Sequence, residues 1–394
     1  MSDGWQVPRS RQEAAEADRA DALAGFRAGF VLEPGGPVYL DGNSLGRQPI
    51  ATAGAVSDLL SEWGRDLVAG WERWAELPER VGDRIGQLLG AAPGQVVVGD
   101  STTVNLYKLA VAAADARPGR PTIVGDANDF PTLRYVLESV AGREGRRLLL
   151  VDSDPAEAAT GAELSGVMGD DVAFVCMSAV NYRSGAVADV GAVCQAAHEA
   201  GALTVWDLSH AAGVVPLQLD ADGADFAAGC GYKYLNGGPG APAWLYVRSD
   251  LQGLRQPIWG WWGQRDRFAM GPSYDPVQGT ARFLAGTPAV LGLVALGCGI
   301  GPVLAAGVPA IWAKTSRLVA LLTDRAMELL APLGVRFSSP AGPEHRGGHL
   351  ALAHAGARTV TGLLAEKRLV VADFRYPDVM RLAPVAMYTR FVDV

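Results

Sequence analysis

Seven short apolar runs between residues 95 and 247 constrain this chain more than any other feature. They are QVVVG (95–99), PTIVG (121–125), RLLLV (147–151), VAFVCM (172–177), ALTVW (202–206), ADFAAG (224–229) and AWLYV (243–247). Helix-like stretches such as DVGAVCQAAHEAG (189–201) separate most of them. Strand, helix, strand at this spacing predicts an α/β fold with a mainly parallel seven-stranded sheet and helices on both faces. The last two runs are too close for a crossover helix, so an antiparallel strand is expected there. Beyond about residue 290 the pattern turns to helices (TSRLVALLTDRAMELLAPLG) and weaker strands (HLALAH, RLAPVAMY). The expected organisation is an N-terminal arm over 1–45, a large domain over 46–290 and a smaller α+β domain over 291–394.

Composition excludes several function classes. A net charge of -8 with no basic run argues against a nucleic-acid or anionic-membrane partner. The polar, acidic start lacks the apolar region of a secretory signal, which points to the cytoplasm. Four cysteines (Cys176, Cys194, Cys230, Cys298) form no CxxC pair and read as free thiols. Residues 283–313 carry no charge and match a membrane span in length, but glycines and prolines interrupt them. They read as a loop, a buried helix and a second helix from near Pro309.

Ligands of open α/β sheets bind at the carboxyl ends of the strands. After QVVVG comes DSTTVNLYKL, hydroxyls and backbone N–H groups at a helix start, a seat for phosphate. Phe130 follows the second run, Ser178 the fourth, Asp207 and His210 the fifth, and Lys233 the sixth. No dinucleotide-binding or P-loop motif is present. An anion seat, a planar aromatic, a carboxylate and a lysine are what pyridoxal phosphate needs: the lysine as covalent anchor, the carboxylate opposite the ring nitrogen. The chain has four lysines against thirty arginines. Lys108 falls inside a predicted helix, Lys314 and Lys367 fall in predicted polar helices, and Lys233 alone follows a strand at the ligand edge.

At these residues the chain resembles the kynureninase family, pyridoxal phosphate enzymes of the aspartate-aminotransferase fold type I and related to aminotransferase class V. The resemblance runs from YLDGNSLG (39–46) through STTVNLYK, FPT, VNYRSG, WDLSHAAG, GYKYLNGGPGAPAW, GWWG and RFLAGTP to RLAPVAMYTRF (381–391). It implies hydrolytic cleavage of L-kynurenine or 3-hydroxykynurenine, a step of tryptophan catabolism. Lys233 would hold the cofactor and move protons, Asp207 would face the ring nitrogen, His210 would buttress that end, and Phe130 would stack on the ring. Thr102, Thr103, Ser178 and Tyr232 would contact the phosphate or ring substituents, with Tyr232 also a proton donor. Trp261 and Thr287 resemble phosphate contacts that the partner subunit donates in a homodimer with shared sites. Arg381 would grip the substrate carboxylate, with Asn43, Ser44 and Trp71 also on the substrate side. Two departures stand out. Leu133 replaces the aspartate that usually follows FPT, and Gln264 replaces the histidine that usually follows GWWG. Both positions are expected near the site, which leaves open a modified kynurenine or another β-substituted amino acid as substrate. A desulfurase on the same scaffold would need a reactive cysteine on a mobile loop.

Overall fold

The computed structural model describes residues 5–394. The central sheet contains β2 (Val96–Val98), β3 (Thr122–Asp126), β4 (Arg147–Val151), β5 (Val172–Ser178), β6 (Leu203–Asp207), β7 (Phe226–Gly229) and β8 (Trp244–Val247), with β1 (Val38–Tyr39) lying outside it. Its order is β2-β8-β7-β6-β5-β3-β4. β8 runs antiparallel to both its neighbours and the remaining pairs are parallel, as the spacing of the runs requires.

Alternation along each strand divides the interior in two. Val96, Val98, Val124, Val175 and Met177 join one apolar cluster. Val97, Ile123, Phe174 and Cys176 join the other. Successive side chains of a strand point to opposite faces, so two clusters mean that both faces are covered. That is why these strands read as unbroken apolar runs.

The C-terminal part contributes β9 (Arg336–Phe337), β10 (Leu350–Ala353), β12 (Asp373–Arg375) and β13 (Val379–Leu382) to an antiparallel sheet of order β12-β13-β10-β9. The expected strand RLAPVAMY starts earlier and stops at Leu382; from Ala383 the chain turns out of the sheet. β11 (Val370–Val371) pairs in parallel with β1. That pairing, extended by Ala383 N–H donating to Leu40 O at 2.7 Å, lays the N-terminal arm beside β13.

The uncharged segment folds as helix Val290–Ala306, which joins the large apolar cluster, and helix Val308–Leu329. Pro302 lies inside the first helix; the break falls at Gly307, whose φ of 76° suits a residue without Cβ. Among the described residues no single helix is long and apolar enough to cross a membrane.

Candidate active site

Helix Thr102–Asp115 starts at the edge where β2 ends and packs against β5, β6 and β7. Ser101 caps it by accepting from Val104 N–H at 3.4 Å. Thr102 and Thr103 occupy the first turn, where backbone N–H groups and the helix dipole favour an anion. The loop before them is pinned from below. Buried Lys108 pairs with Asp100 at 2.5 Å and donates to Phe283 O at 2.7 Å, while Asp100 itself adopts a φ of 54°.

Lys108 is therefore spoken for, and so are two other lysines. Lys314, in a helix as expected, lies buried on Asp21 at 2.6 Å, and Lys367 pairs with Glu366. Lys233 is the one lysine without a carboxylate partner among the described residues. Its Nζ sits 3.3 Å from His210 Nε2 and 5.8 Å from the Tyr232 ring centroid. The turn that presents it is tight: Asn236 closes back on Lys233 O at 2.9 Å with a φ of 54°. GNSLG from the N-terminal arm passes so close that a Cβ at Gly46 would lie 2.3 Å from Lys233 O.

Asp207 ends β6 directly opposite Ser178 on β5. One of its oxygens accepts Ser209 N–H at 2.8 Å; the other has no hydrogen bond among the described residues. His210 is buried, and burial, with Lys233 and Arg381 nearby, holds its pKa well below the usual imidazole range. Burial likewise raises the Tyr232 pKa, which keeps the phenol protonated. Phe130 caps the next helix with 42% of its surface exposed, beside Tyr182 at 5.2 Å between centroids.

Arg381 is almost completely buried. It donates to Tyr182 O, to Ser44 Oγ at 3.2 Å and to Asp373, while its Nε has no partner. Ser44 also donates to Asp373 at 2.7 Å, so its hydroxyl holds the arginine. Asn43 beside it is fully buried with neither amide atom bonded. An unpartnered arginine Nε and an unpartnered amide suit a carboxylate ligand.

Trp71, Thr287 and Trp261 stand apart. Trp71 packs on Trp74 and Trp262 and, with Thr287, lines an apolar groove of about 540 Å³. Among the described residues no hydrogen bond or ring contact joins Trp261 or Thr287 to Phe130, Asp207, His210 or Lys233. Among the described residues, neither sequence departure turns a polar group toward Lys233 of its own chain. Leu133 is buried in the second apolar cluster. Gln264 clasps its own loop, accepting from Asp275 N–H at 2.7 Å and donating to Ser273 O at 3.2 Å.

Two residues escaped the sequence reading. Asp129, next to Phe130, is buried and accepts from Ser178 N–H and Oγ–H at 2.7 and 2.5 Å. Its place beside the aromatic in DANDFPT was the available signal. His349 is completely buried 5.9 Å from the His210 ring, and neither ring nitrogen has a well-formed hydrogen bond among the described residues. No local pattern in RGGHL marks it.

The residues fit the cofactor they suggest: an unpaired lysine, an exposed aromatic face, a carboxylate oxygen left free and a helix start meet at one sheet edge. With the sheet order, this defines the class as pyridoxal phosphate-dependent transferase-fold proteins. At the level of fold, the chain superposes with a TM-score of 0.79 on the apo cysteine desulfurase of Thermococcus onnurineus NA1, at 18% identity over 99% of this chain and 96% of that one. It superposes equally, at 16% identity over 90% and 94%, on the cystine C–S lyase C-DES in complex with cysteine persulfide. Sequence is more specific. Residues 311–394 match the model of the kynureninase C-terminal domain. Kynureninases of Burkholderia pseudomallei and Pseudomonas fluorescens are 39% and 38% identical to this chain, each over 98% of it and 93% of the relative. The chain belongs to the kynureninase family. The desulfurase alternative lacks its thiol: three of the four cysteines are buried, and Cys298 is half-buried within helix Val290–Ala306.

Proposed function

We propose that this chain is a pyridoxal phosphate-dependent hydrolase that cleaves the Cβ–Cγ bond of L-kynurenine, or of 3-hydroxykynurenine, releasing L-alanine and anthranilate or 3-hydroxyanthranilate. The observation that carries this reading is Lys233, the one lysine without a carboxylate partner among the described residues, set against His210 at the strand edge in a chain 39% identical to kynureninases.

Pyridoxal phosphate, when bound, supplies the electron sink for the charge that bond cleavage leaves on carbon. Thr102 and Thr103 would hold its phosphate, Phe130 would pack on the ring, and Asp207 would keep a proton at the ring nitrogen. Ser178 and His210 would hold the ring in place. Lys233 Nζ takes the proton from substrate Cα and returns it later. Arg381 orients the α-carboxylate, with Asn43 supporting the grip and Ser44 holding the guanidinium. Tyr232, half-buried and held protonated, donates a proton during cleavage. Water is consumed at the γ-carbonyl, so the aryl acid and alanine account for every atom.

The reading extends to a cytoplasmic homodimer. Exposed Trp63, Leu67 and Val68 beside Thr287 give the groove an apolar rim that suits a subunit interface. Trp261 and Thr287 then serve the partner's phosphate, which accounts for their making no contact with Lys233 of their own chain among the described residues. Trp71 lines the aryl side of the shared site.

The test is an assay for fluorescent anthranilate from L-kynurenine by cofactor-loaded protein, run beside 3-hydroxykynurenine. Product from either substrate is expected; no product from both overturns the reading.

A further inference from the structure

Asp129 is not among the residues that the mechanism uses, yet it touches two that it does. Its Oδ1 accepts from Ser178 Oγ–H at 2.5 Å and from Phe130 N–H at 2.8 Å, and its Oδ2 accepts from Ser178 N–H at 2.7 Å. It is 6% exposed and has no ion pair among the described residues. Resting on the pyridoxal phosphate reading, we propose that Asp129 is a positioning residue of the ligand site: through Ser178, it sets whether that hydroxyl offers the ligand a donor or an acceptor.

A hydroxyl has one proton to give. While Asp129 is a carboxylate, Ser178 must donate to it, so Ser178 faces the ligand with lone pairs only. Once Asp129 is protonated it can donate to Ser178 Oγ, and the serine proton is free to turn toward the ligand. Both states are within reach, because burial raises the Asp129 pKa to about 7, with Asp207 of β6 adding to the rise and the Ser178 bonds opposing it. The other titratable group facing it is the Cys176 thiol of β5, which burial holds well above its ordinary range and therefore neutral. The carboxylate that the family resemblance places at 133 is thus supplied from 129, on the other side of the same Phe-Pro-Thr turn. Leu133 is free to fill the core.

The experiment is a pH titration, from about 5.5 to 9, of the absorbance of bound pyridoxal phosphate in the wild type, Asp129→Asn and Ser178→Ala. The expected result is a wild-type change near neutrality whose midpoint moves by about one pH unit or more, or vanishes, in both variants. An unmoved midpoint in Asp129→Asn overturns the proposal, as does a wild-type absorbance that does not vary with pH. Should Asp129→Asn fail to fold, Ser178→Ala decides by the same criterion. A wild type that takes up no pyridoxal phosphate is a different failure, that of the cofactor reading itself.

Discussion

Along the strand edge, Asp129, Ser178, Asp207 and His210 each have a partner: Ser178 for Asp129, Ser209 N–H for Asp207, Lys233 for His210. On the face formed by the N-terminal arm and the C-terminal sheet, several buried polar atoms lack a partner among the described residues. Asn43 and His349 are fully buried with no side-chain polar atom in a well-formed hydrogen bond, and Tyr234 Oη, Asp41 Oδ1, Asp373 Oδ1 and Arg381 Nε are unpartnered too. A buried polar group without a partner costs about 1–3 kcal/mol. The first face is preorganised by its own chain, as suits a cofactor that stays. The second has donors and acceptors free for the substrate proposed to bind there.

The largest effect expected falls on the preorganised face. Lys233→Ala should lower kcat/KM by about a thousandfold or more, because no other lysine at that edge can take over its proton transfers. Borohydride reduction and peptide mapping should place the cofactor label on Lys233; a label on Lys108, Lys314 or Lys367 would break the assignment.

On the opposite face, Arg381→Lys keeps the charge but loses the planar fork. A loss of about 1.5–3 kcal/mol, roughly 10- to 150-fold in kcat/KM, is expected with cofactor absorbance retained. Normal turnover by this variant would move the carboxylate grip elsewhere.

Subunit mixing asks whether the partner supplies a third face. Lys233→Ala and a disruptive Thr287 variant should each be nearly inactive. Refolded together, about half the dimers are mixed and each carries one intact site, so about a quarter of all sites should recover. A mixture as inactive as its parents, despite proven exchange, would assign Thr287 to its own chain.

The smallest effect measures the cost of the unpartnered face directly. Burial, with Arg381 nearby, pushes the His349 pKa down to about 3, against about 6.5 in an unfolded chain. Below pH 6.5 the unfolded state takes a proton that the folded state refuses, so this stability is present above pH 6.5 and lost as pH falls toward 3. His349→Gln should therefore show a shallower fall in Tm between pH 6.5 and 4 than the wild type. Some slope remains, since His210 acts in the same direction. Identical slopes would show that His349 carries no such cost.

What the sequence determined by itself is local: the period of apolar side chains, the turn residues at strand ends and the scarcity of lysine. These fixed the sheet, its antiparallel strand and the strand-edge set of Phe130, Ser178, Asp207, His210 and Lys233, because each sits within a few residues of a strand it follows. Only the tertiary structure could decide roles that depend on chain segments meeting from afar. Ser44 reaches Arg381 across 337 positions and Asp373 across 329, so its task of holding the arginine has no local trace. His349 meets His210 only because the chain entering β10 comes up against Tyr234, and Lys314 is buried only because Asp21 of the arm comes to meet it. Leu133 and Gln264 looked like losses at the site, yet one packs in an apolar cluster and the other closes a loop, since which way a side chain points depends on what packs against its backbone.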